Sequence, residues 1–288
     1  MCACAVDNVA KLESGSPKAG LIDTHCHLDF IFERNDLRFQ NFRAFRQYYS
    51  KEFTDSFAGC VAVFCQPSNW GRYEDSITSD LDVWCTFGVH PHFSNCFSAQ
   101  VCSTLKELLK RDRVVALGEI GLDYSVKNHV NHDIQKRTFL LQVHMALERN
   151  LAMCLHIRQA DEDGLKILEE AKVPENYRIH LHCFNSNWAT CQKWLEKYPN
   201  LKVGFTPMIG YAGNKHLQEV VSQIPLSRIL LETDSPYFLP RQKPTSLSGK
   251  SHPGFVIYTA TDIAAFKGIM IQDVIEANRR NVQEIYNI

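Results

Sequence analysis

From Leu21 onward, short runs of β-branched and other apolar residues alternate with stretches whose apolar positions recur at helical spacing. Eight runs read as strands: LIDTHCH (21–27), GCVAVFC (59–65), VWCTFGVH (83–90), VVALGEIG (114–121), AMCLHIR (152–158), RIHLHCF (178–184), LKVGFTP (201–207) and ILLETDS (229–235). They are apolar at almost every position, as strands covered on both faces must be. Between them, Val101, Leu105, Leu108 and Leu109, then Leu140, Val143, Leu147 and Leu151, then Leu217, Val220, Val221 and Ile224 mark amphipathic stripes. Asn187 and Asn214 stand where helix N-caps are wanted, and Gly268 where the helix starting near Phe255 should stop. This alternation predicts a parallel sheet with crossover helices. An open doubly wound sheet calls for a GxGxxG turn after its first strand, but the chain has Thr24-His25-Cys26-His27 there, so the pattern predicts a TIM-type (β/α)8 barrel over residues 21–288. Residues 1–20 are small, polar and without periodicity, which predicts a flexible tail.

The length of 288 residues suits one such barrel. A net charge of −1 excludes a protein that coats long stretches of nucleic acid through a basic stripe, so any such contact is local. The eleven cysteines show no CxxC pair, and no secretory signal precedes them. That usage predicts reduced thiols and an intracellular setting, nuclear or cytoplasmic. No apolar run approaches the ~20 residues of a membrane span. A soluble monomer without a membrane partner is the corresponding expectation.

Histidines and carboxylates gather at the ends of the strands. His25 and His27 close the first, Glu119 lies near the end of the fourth, His156 and His182 end the fifth and sixth, and Asp234 ends the eighth. In a barrel these ends converge on one mouth, where barrel enzymes keep their active sites. His25 and His27 are two residues apart, so an extended strand points both imidazoles to one face and Cys26 to the other. A carboxylate such as Glu119 can bridge two cations, and Asp234 can ligate one of them and accept a proton from attacking water. Six ligand-type residues exceed the four of one tetrahedral zinc, which predicts two divalent metal ions. Four imidazoles and two carboxylates suit zinc or manganese better than magnesium, and the metal's identity stays open.

DTHCHLD, GVHPH, GEIGLDY, LHIR, HCF and ETDSPY, in this order, resemble the successive signatures of the TatD family of metal-dependent nucleases, whose fold is the amidohydrolase-like metallo-dependent hydrolase barrel. VGFTP, IPLSRILLETDSPYFLPRQ and SHPG are similar to the vertebrate TatD domain-containing protein 2 group. The resemblance covers residues 21–288 and carries the metal ligands over to His25, His27, Glu119, His156, His182 and Asp234. It places His90 and Arg158 near the scissile phosphate, and His92 of GVHPH is a further substrate-binding candidate. It implies hydrolysis of phosphodiester bonds, DNA being the leading substrate and RNA or RNA–DNA hybrids further ones, often from the 3′ end. The family more often has HCFSG or HCFTG where this chain has His182-Cys183-Phe184-Asn185-Ser186, a departure in the loop after the sixth strand.

Asp123 either fixes the GLDY turn or touches substrate. Phe184 and Tyr237 read as core or rim aromatics, or as exposed rings that stack on bases of a single strand. The segment 238–254 is too rich in Pro, Ser and Gly for a helix and carries Arg241, Lys243 and Lys250 without an acidic residue. It is a solvated connector or a flap that holds neighbouring phosphates. The alternatives to a nuclease are an amidohydrolase-like reaction on a small molecule, for which a bridging lysine rather than Glu119 is usual, an abasic-site endonuclease, and an adaptor that has lost its ligands. No ligand position is lost here.

Overall fold

The computed structural model describes residues 20–34, 39, 41–72, 80–243 and 249–288. The tail expected over residues 1–20 lies outside them except for Gly20. Eight strands run in chain order around one sheet: β1 (Leu21–Cys26), β2 (Phe57–Phe64), β3 (Val83–Phe87), β4 (Val114–Asp123), β5 (Ala152–Arg158), β6 (Ile179–Leu181), β7 (Lys202–Phe205) and β8 (Ile229–Leu231). Each pairs with the next in parallel. The helices are α1 (Leu28–Glu33), α2 (Phe42–Tyr48), α3 (Ala99–Leu108), α4 (His132–Arg149), α5 (Asp161–Glu170), α6 (Trp188–Lys197), α7 (Lys215–Gln223), α8 (Val256–Lys267) and α9 (Ile271–Tyr286).

The barrel closes beyond the last residue of β8. Asp234 N donates to His25 O, His27 N donates to Ser235 O, and Thr24 Oγ1 donates to Leu231 O. Asp23 adds a side-chain clasp, accepting from Thr233 N and from Thr233 Oγ1 at 2.6 Å. The seam between first and last strand is therefore made by the same residues that carry the ligand-type side chains.

Strand placement follows the apolar runs, but β6 and β8 are three residues each rather than the seven expected. Their ladders end where the chain turns sharply: Cys183 and Asp234 both adopt left-handed backbone, with φ of 44° and 51°, a conformation that costs a non-glycine residue energy and is found where function demands it. Asn187 caps α6, its side chain accepting from Thr190 N. Asn214 holds the N-cap position of α7, but its amide donates to Met208 O, so the cap is backbone only. Gly268 ends α8 at φ 65°. The stripe read through Leu151 stops at Arg149, where Asn150 takes the left-handed cap.

The C-terminal turn of α9 covers the N-terminal end of the barrel. Val282, Ile285 and Tyr286 pack on the inward residues Ile22, Val61, Ala116, Ala152 and Leu230, and all of these are buried. Two of those strand residues are alanines, which leaves room for the Tyr286 ring. All nine described cysteines are free and seven are buried, the small apolar core role that thiols usually take. Among the described residues no single helix is long and apolar enough to cross a membrane.

Candidate metal centre

Two strand irregularities aim the site. In β1, Asp23 lies opposite Cys60 and Cys26 opposite Ala62, so Thr24 and His25 together face Val61. In β4, Gly118 lies opposite Cys154 and Ile120 opposite Leu155, which leaves Glu119 as the extra residue. Such bulges bend a strand and re-aim a side chain. Gly121 lets β4 recover its pairing: its φ is 145°, and a Cβ there would meet His156 O at 2.0 Å.

Glu119 is the hub. Its Oε2 faces His25 Nε2 at 3.6 Å and His27 Nε2 at 3.8 Å, while its Oε1 faces His156 Nδ1 at 2.7 Å and His182 Nε2 at 3.5 Å. Asp234 completes the ring from the seam, with Oδ1 3.3 Å from His27 Nε2 and Oδ2 3.8 Å from His182 Nε2. All six residues expected as ligands thus meet at one point. Donor atoms around a tetrahedral cation with ~2.1 Å bonds stand ~3.4 Å apart, and most of these separations have that size. His25 Nε2 supplies a second test of fit: it is fully buried, and among the described residues it has no hydrogen-bond partner. An unsatisfied buried nitrogen of this kind costs about 1–3 kcal/mol, and a cation would remove the cost.

The opposite ring nitrogens are tied down. His27 Nδ1 donates to Val63 O at 3.1 Å, His182 Nδ1 to Glu232 Oε1 at 3.0 Å, and His25 Nδ1 lies 3.4 Å from Cys154 Sγ. Fixing Nδ1 in this way leaves Nε2 to face a metal, the usual support beneath metal-binding imidazoles. His25 stacks on His182 with ring centroids 3.4 Å apart. Burial, with His182 alongside, pushes the His25 pKa down to about 4, so this ring is neutral. Burial alone would raise the Glu119 carboxyl, but the surrounding His90 and His182, with a hydrogen bond from His156, hold it well below the usual carboxylate range.

The remaining expected residues lie in different surroundings. His90 lies beside the hub, its Nε2 3.7 Å from Glu119 Oε1, and its Nδ1 accepts from His92 N. Burial, reinforced by His156, pushes its pKa well down. A neutral ring that accepts at Nδ1 carries its proton on Nε2, so His90 is a donor aimed into the site. Arg158 flanks it half-buried, with Nη2 4.0 Å from Cys183 Sγ. His92 Nε2 and His156 Nε2 both contact Asp123 Oδ2, at 3.0 and 3.2 Å, while Asp123 Oδ1 accepts from Ser125 N. Asp123 therefore fixes its turn and braces His156. Phe184 is a correction: it is buried, near Phe205, and offers no exposed face for stacking. Tyr237 is 39% exposed at the rim, 6.2 Å from the His27 ring, and Arg34 lies over it at 4.5 Å. Arg241 donates to Gly210 O, Lys243 stands 4.0 Å from Glu52 Oε1, and Lys250 bonds Arg34 O. The basic segment is thus anchored at several points along the rim, though residues 244–248 of it lie outside those described.

Sequence reasoning passed over Asp23, Glu232, His180 and Arg34. The first three carried a signal: Asp23-x-His25, His180-x-His182 and Glu232-x-Asp234 are period-two pairs like His25-x-His27, so each partner shares the inward face.

The comparisons agree with this geometry. TatD-related DNases match residues 22–287. The human 3′-5′ RNA nuclease TATDN2 is 39% identical over 276 residues, which is 95% of this chain and 36% of that protein. This chain therefore spans about a third of the human relative's length. The 3′-5′ ssDNA/RNA exonuclease TatD of Pantoea vagans is 31% identical over 207 residues, 71% of this chain and 78% of that one. Among solved structures, the TatD homologue YJJV of Escherichia coli superposes with a TM-score of 0.79 at 21% identity, covering 93% of this chain and 98% of that chain. An Escherichia coli phosphotriesterase homology protein shares the fold more loosely, with a TM-score of 0.63 at 12% identity over 94% and 100% of the two chains. With the family matched across nearly its whole described length and every expected ligand position occupied, the chain belongs to the TatD-related DNase family.

Proposed function

We propose that the chain is a metal-dependent nuclease that hydrolyses phosphodiester bonds of single-stranded DNA or RNA from the 3′ end, acting as an intracellular monomer, nuclear or cytoplasmic. The observation that carries the reading is the split of Glu119, one oxygen toward His25 and His27 and the other toward His156 and His182. The relatives' names, one an RNA nuclease and one an ssDNA/RNA exonuclease, support the substrate class.

His25, His27, Glu119 and Asp234 would hold one divalent cation, and Glu119, His156 and His182 a second, with zinc, manganese or magnesium as candidates. Divalent cations held there supply Lewis acidity at a phosphoryl oxygen and make water a nucleophile near neutral pH. Asp234, whose carboxylate is the most exposed of the hub, accepts the water proton. His90 donates a hydrogen bond from Nε2–H to a phosphate oxygen, and Arg158 supplies fixed positive charge against the charge that builds in the transition state. His92 and Asp123 line the same edge. Tyr237 offers the exposed ring on which a base stacks, and Arg241 and Lys243 grip neighbouring phosphates. The free cysteines fit a reducing compartment.

The test is to incubate the purified chain with 5′-end-labelled single-stranded DNA, duplex DNA, RNA and an RNA–DNA hybrid, with Mg²⁺, Mn²⁺ or Zn²⁺. The expected result is a ladder shortened from the 3′ end of the single strands, absent with a chelator and blocked by a 3′-terminal phosphorothioate. Intact substrate under every metal condition overturns the reading.

A further inference from the structure

Beneath the hub lies a second polar layer inside the barrel. Glu232 is fully buried; its Oε1 receives His182 Nδ1 at 3.0 Å and lies 2.5 Å from His180 Nε2, while its Oε2 accepts from Cys183 N at 2.9 Å. His180 Nδ1 stands 2.6 Å from the hydroxyl of Tyr286. Cys154 Sγ, 3.4 Å from His25 Nδ1, is also 3.9 Å from His180 Nδ1. β7 makes room for the carboxylate through Gly204, where a Cβ would lie 2.3 Å from Glu232 Oε1. Tyr286 is the last residue of α9, the helix that covers the far end of the barrel.

The proton order along this chain runs one way. Glu232 can only accept, so His182 Nδ1, which hydrogen-bonds it, carries a proton, and His180 Nε2, 2.5 Å from the same oxygen though off hydrogen-bond geometry, needs a proton for so close a contact. With its proton on Nε2, the His180 ring accepts at Nδ1 from the Tyr286 hydroxyl. In the neutral ring that binds a cation, the same order leaves His182 Nε2 as the bare nitrogen, on the side of Glu119 and Asp234. We propose that His180 and Tyr286 are positioning residues for cation binding: the hydroxyl brought by α9 sets the His180 tautomer, and His180 with Glu232 sets that of His182. Cys183 N anchors Glu232 Oε2, but Oε1, the oxygen that orients His182, has His180 as its other contact. The second imidazole, itself held, fixes it. The inference rests on His182 being a metal ligand.

The experiment titrates the full chain with Co²⁺, following the d–d absorption, and records the melting temperature without metal. The variants are Tyr286→Phe, His180→Leu, His180→Gln and, as a control, His182→Ala. Loss of support beneath a metal-binding imidazole weakens binding by roughly 10–100-fold. His180→Leu is expected within that range, with an altered absorption band. Tyr286→Phe, which removes one oxygen, should weaken binding several-fold. His180→Gln, whose amide can still donate to Glu232, should recover part of the loss. A purely structural role would lower all the metal-free melting temperatures and leave Co²⁺ affinity within twofold of the parent in Tyr286→Phe and His180→Leu, and that result overturns the proposal. Should His182→Ala bind Co²⁺ as the parent does, the ligand assignment itself falls, and this inference with it.

Discussion

The two sides of Glu119 are built to different spacings. Toward β1 and β8, the gaps among His25, His27, Glu119 and Asp234 are 3.3 to 3.9 Å, the width that a cation fills. His27 also has its outer nitrogen on a backbone carbonyl, which cannot swing away. Toward β4 and β5, His156 Nδ1 contacts Glu119 directly at 2.7 Å, and its Nε2 contacts Asp123 at 3.2 Å. A neutral imidazole has one N–H and cannot satisfy two carboxylates. Burial opposes the charge, but Asp123 and Glu119 overcome it and push the His156 pKa up to about 9. Both sides therefore carry a proton, on His27 through Asp234 despite burial and on His156, but the first side keeps gaps of cation width and the second is closed by the direct contact of His156 with Glu119. A cation displaces a proton on either side, but on the second it must also break the direct His156–Glu119 hydrogen bond.

The change with the largest expected effect removes what the sides share. Glu119→Gln keeps the volume and deletes the charge between both sets of imidazoles, so turnover on a labelled oligonucleotide should fall by at least a hundredfold, about 2.7 kcal/mol of barrier. Circular dichroism should be unchanged, because the apolar shell of the barrel is untouched. Retention of more than about a tenth of parental kcat, only ~1.4 kcal/mol of barrier, would deny Glu119 its bridging role.

Variants on the separate sides should then divide metal binding into two events. Asp234→Asn or His27→Ala is expected to remove the tighter event in a Mn²⁺ titration followed by calorimetry. His156→Ala is expected to remove the weaker one and leave the tighter within a few-fold of the parent. Equal weakening of a single event by all three would show that the sides fill as one unit, and the contrast in spacing would have no consequence.

How much of this was legible before the structure depends on the distance over which a residue acts. His25, His27, Glu119, His156, His182 and Asp234 announced themselves because a strand end in a barrel has only one place to go. The bulges at His25 and Glu119 were invisible, since register belongs to pairs of strands and one sequence shows only one strand at a time. Glu232 and His180 read as interior positions on strands already assigned, and nothing local says that Tyr286, 106 residues beyond His180, completes the pair. Phe184 was misread as a possible stacking platform because aromatic residues near a mouth look alike in sequence. The left-handed Cys183 before it is what turns the chain and buries the ring. Asp123 was placed correctly at its turn, but its grip on His156 crosses from β4 to β5 and is a property of the sheet.

The smallest expected effect is a pH dependence of the metal-free protein that a filled site abolishes. His156, at about 9, and His27, pushed well above its ordinary value by Asp234 despite burial, hold protons in the folded state that the unfolded chain releases near ~6.5. Where the folded state binds more protons, stability falls as pH rises. The contribution is fully present below pH ~6.5 and is lost progressively toward about 9. His25 and His90, whose pKa values are pushed down, act on the opposite flank: they disfavour the folded state as pH falls below ~6.5, because the unfolded chain gains those protons first. The metal-free protein should therefore be most stable near pH 6.5. The measurement is the melting temperature between pH 6.5 and 7.5, a window that ends about one unit below the pKa of ~8.5 for thiols of the unfolded chain. A loss on the order of 1–3 kcal/mol is expected, a shift of several degrees for a chain of this size. Asp123→Asn should flatten that slope by lowering the pKa of His156, and saturating Mn²⁺ should flatten it in the parent, since a cation leaves no proton to lose. A slope that survives both treatments would locate the titrating groups elsewhere and remove these protons from the account of the two sides.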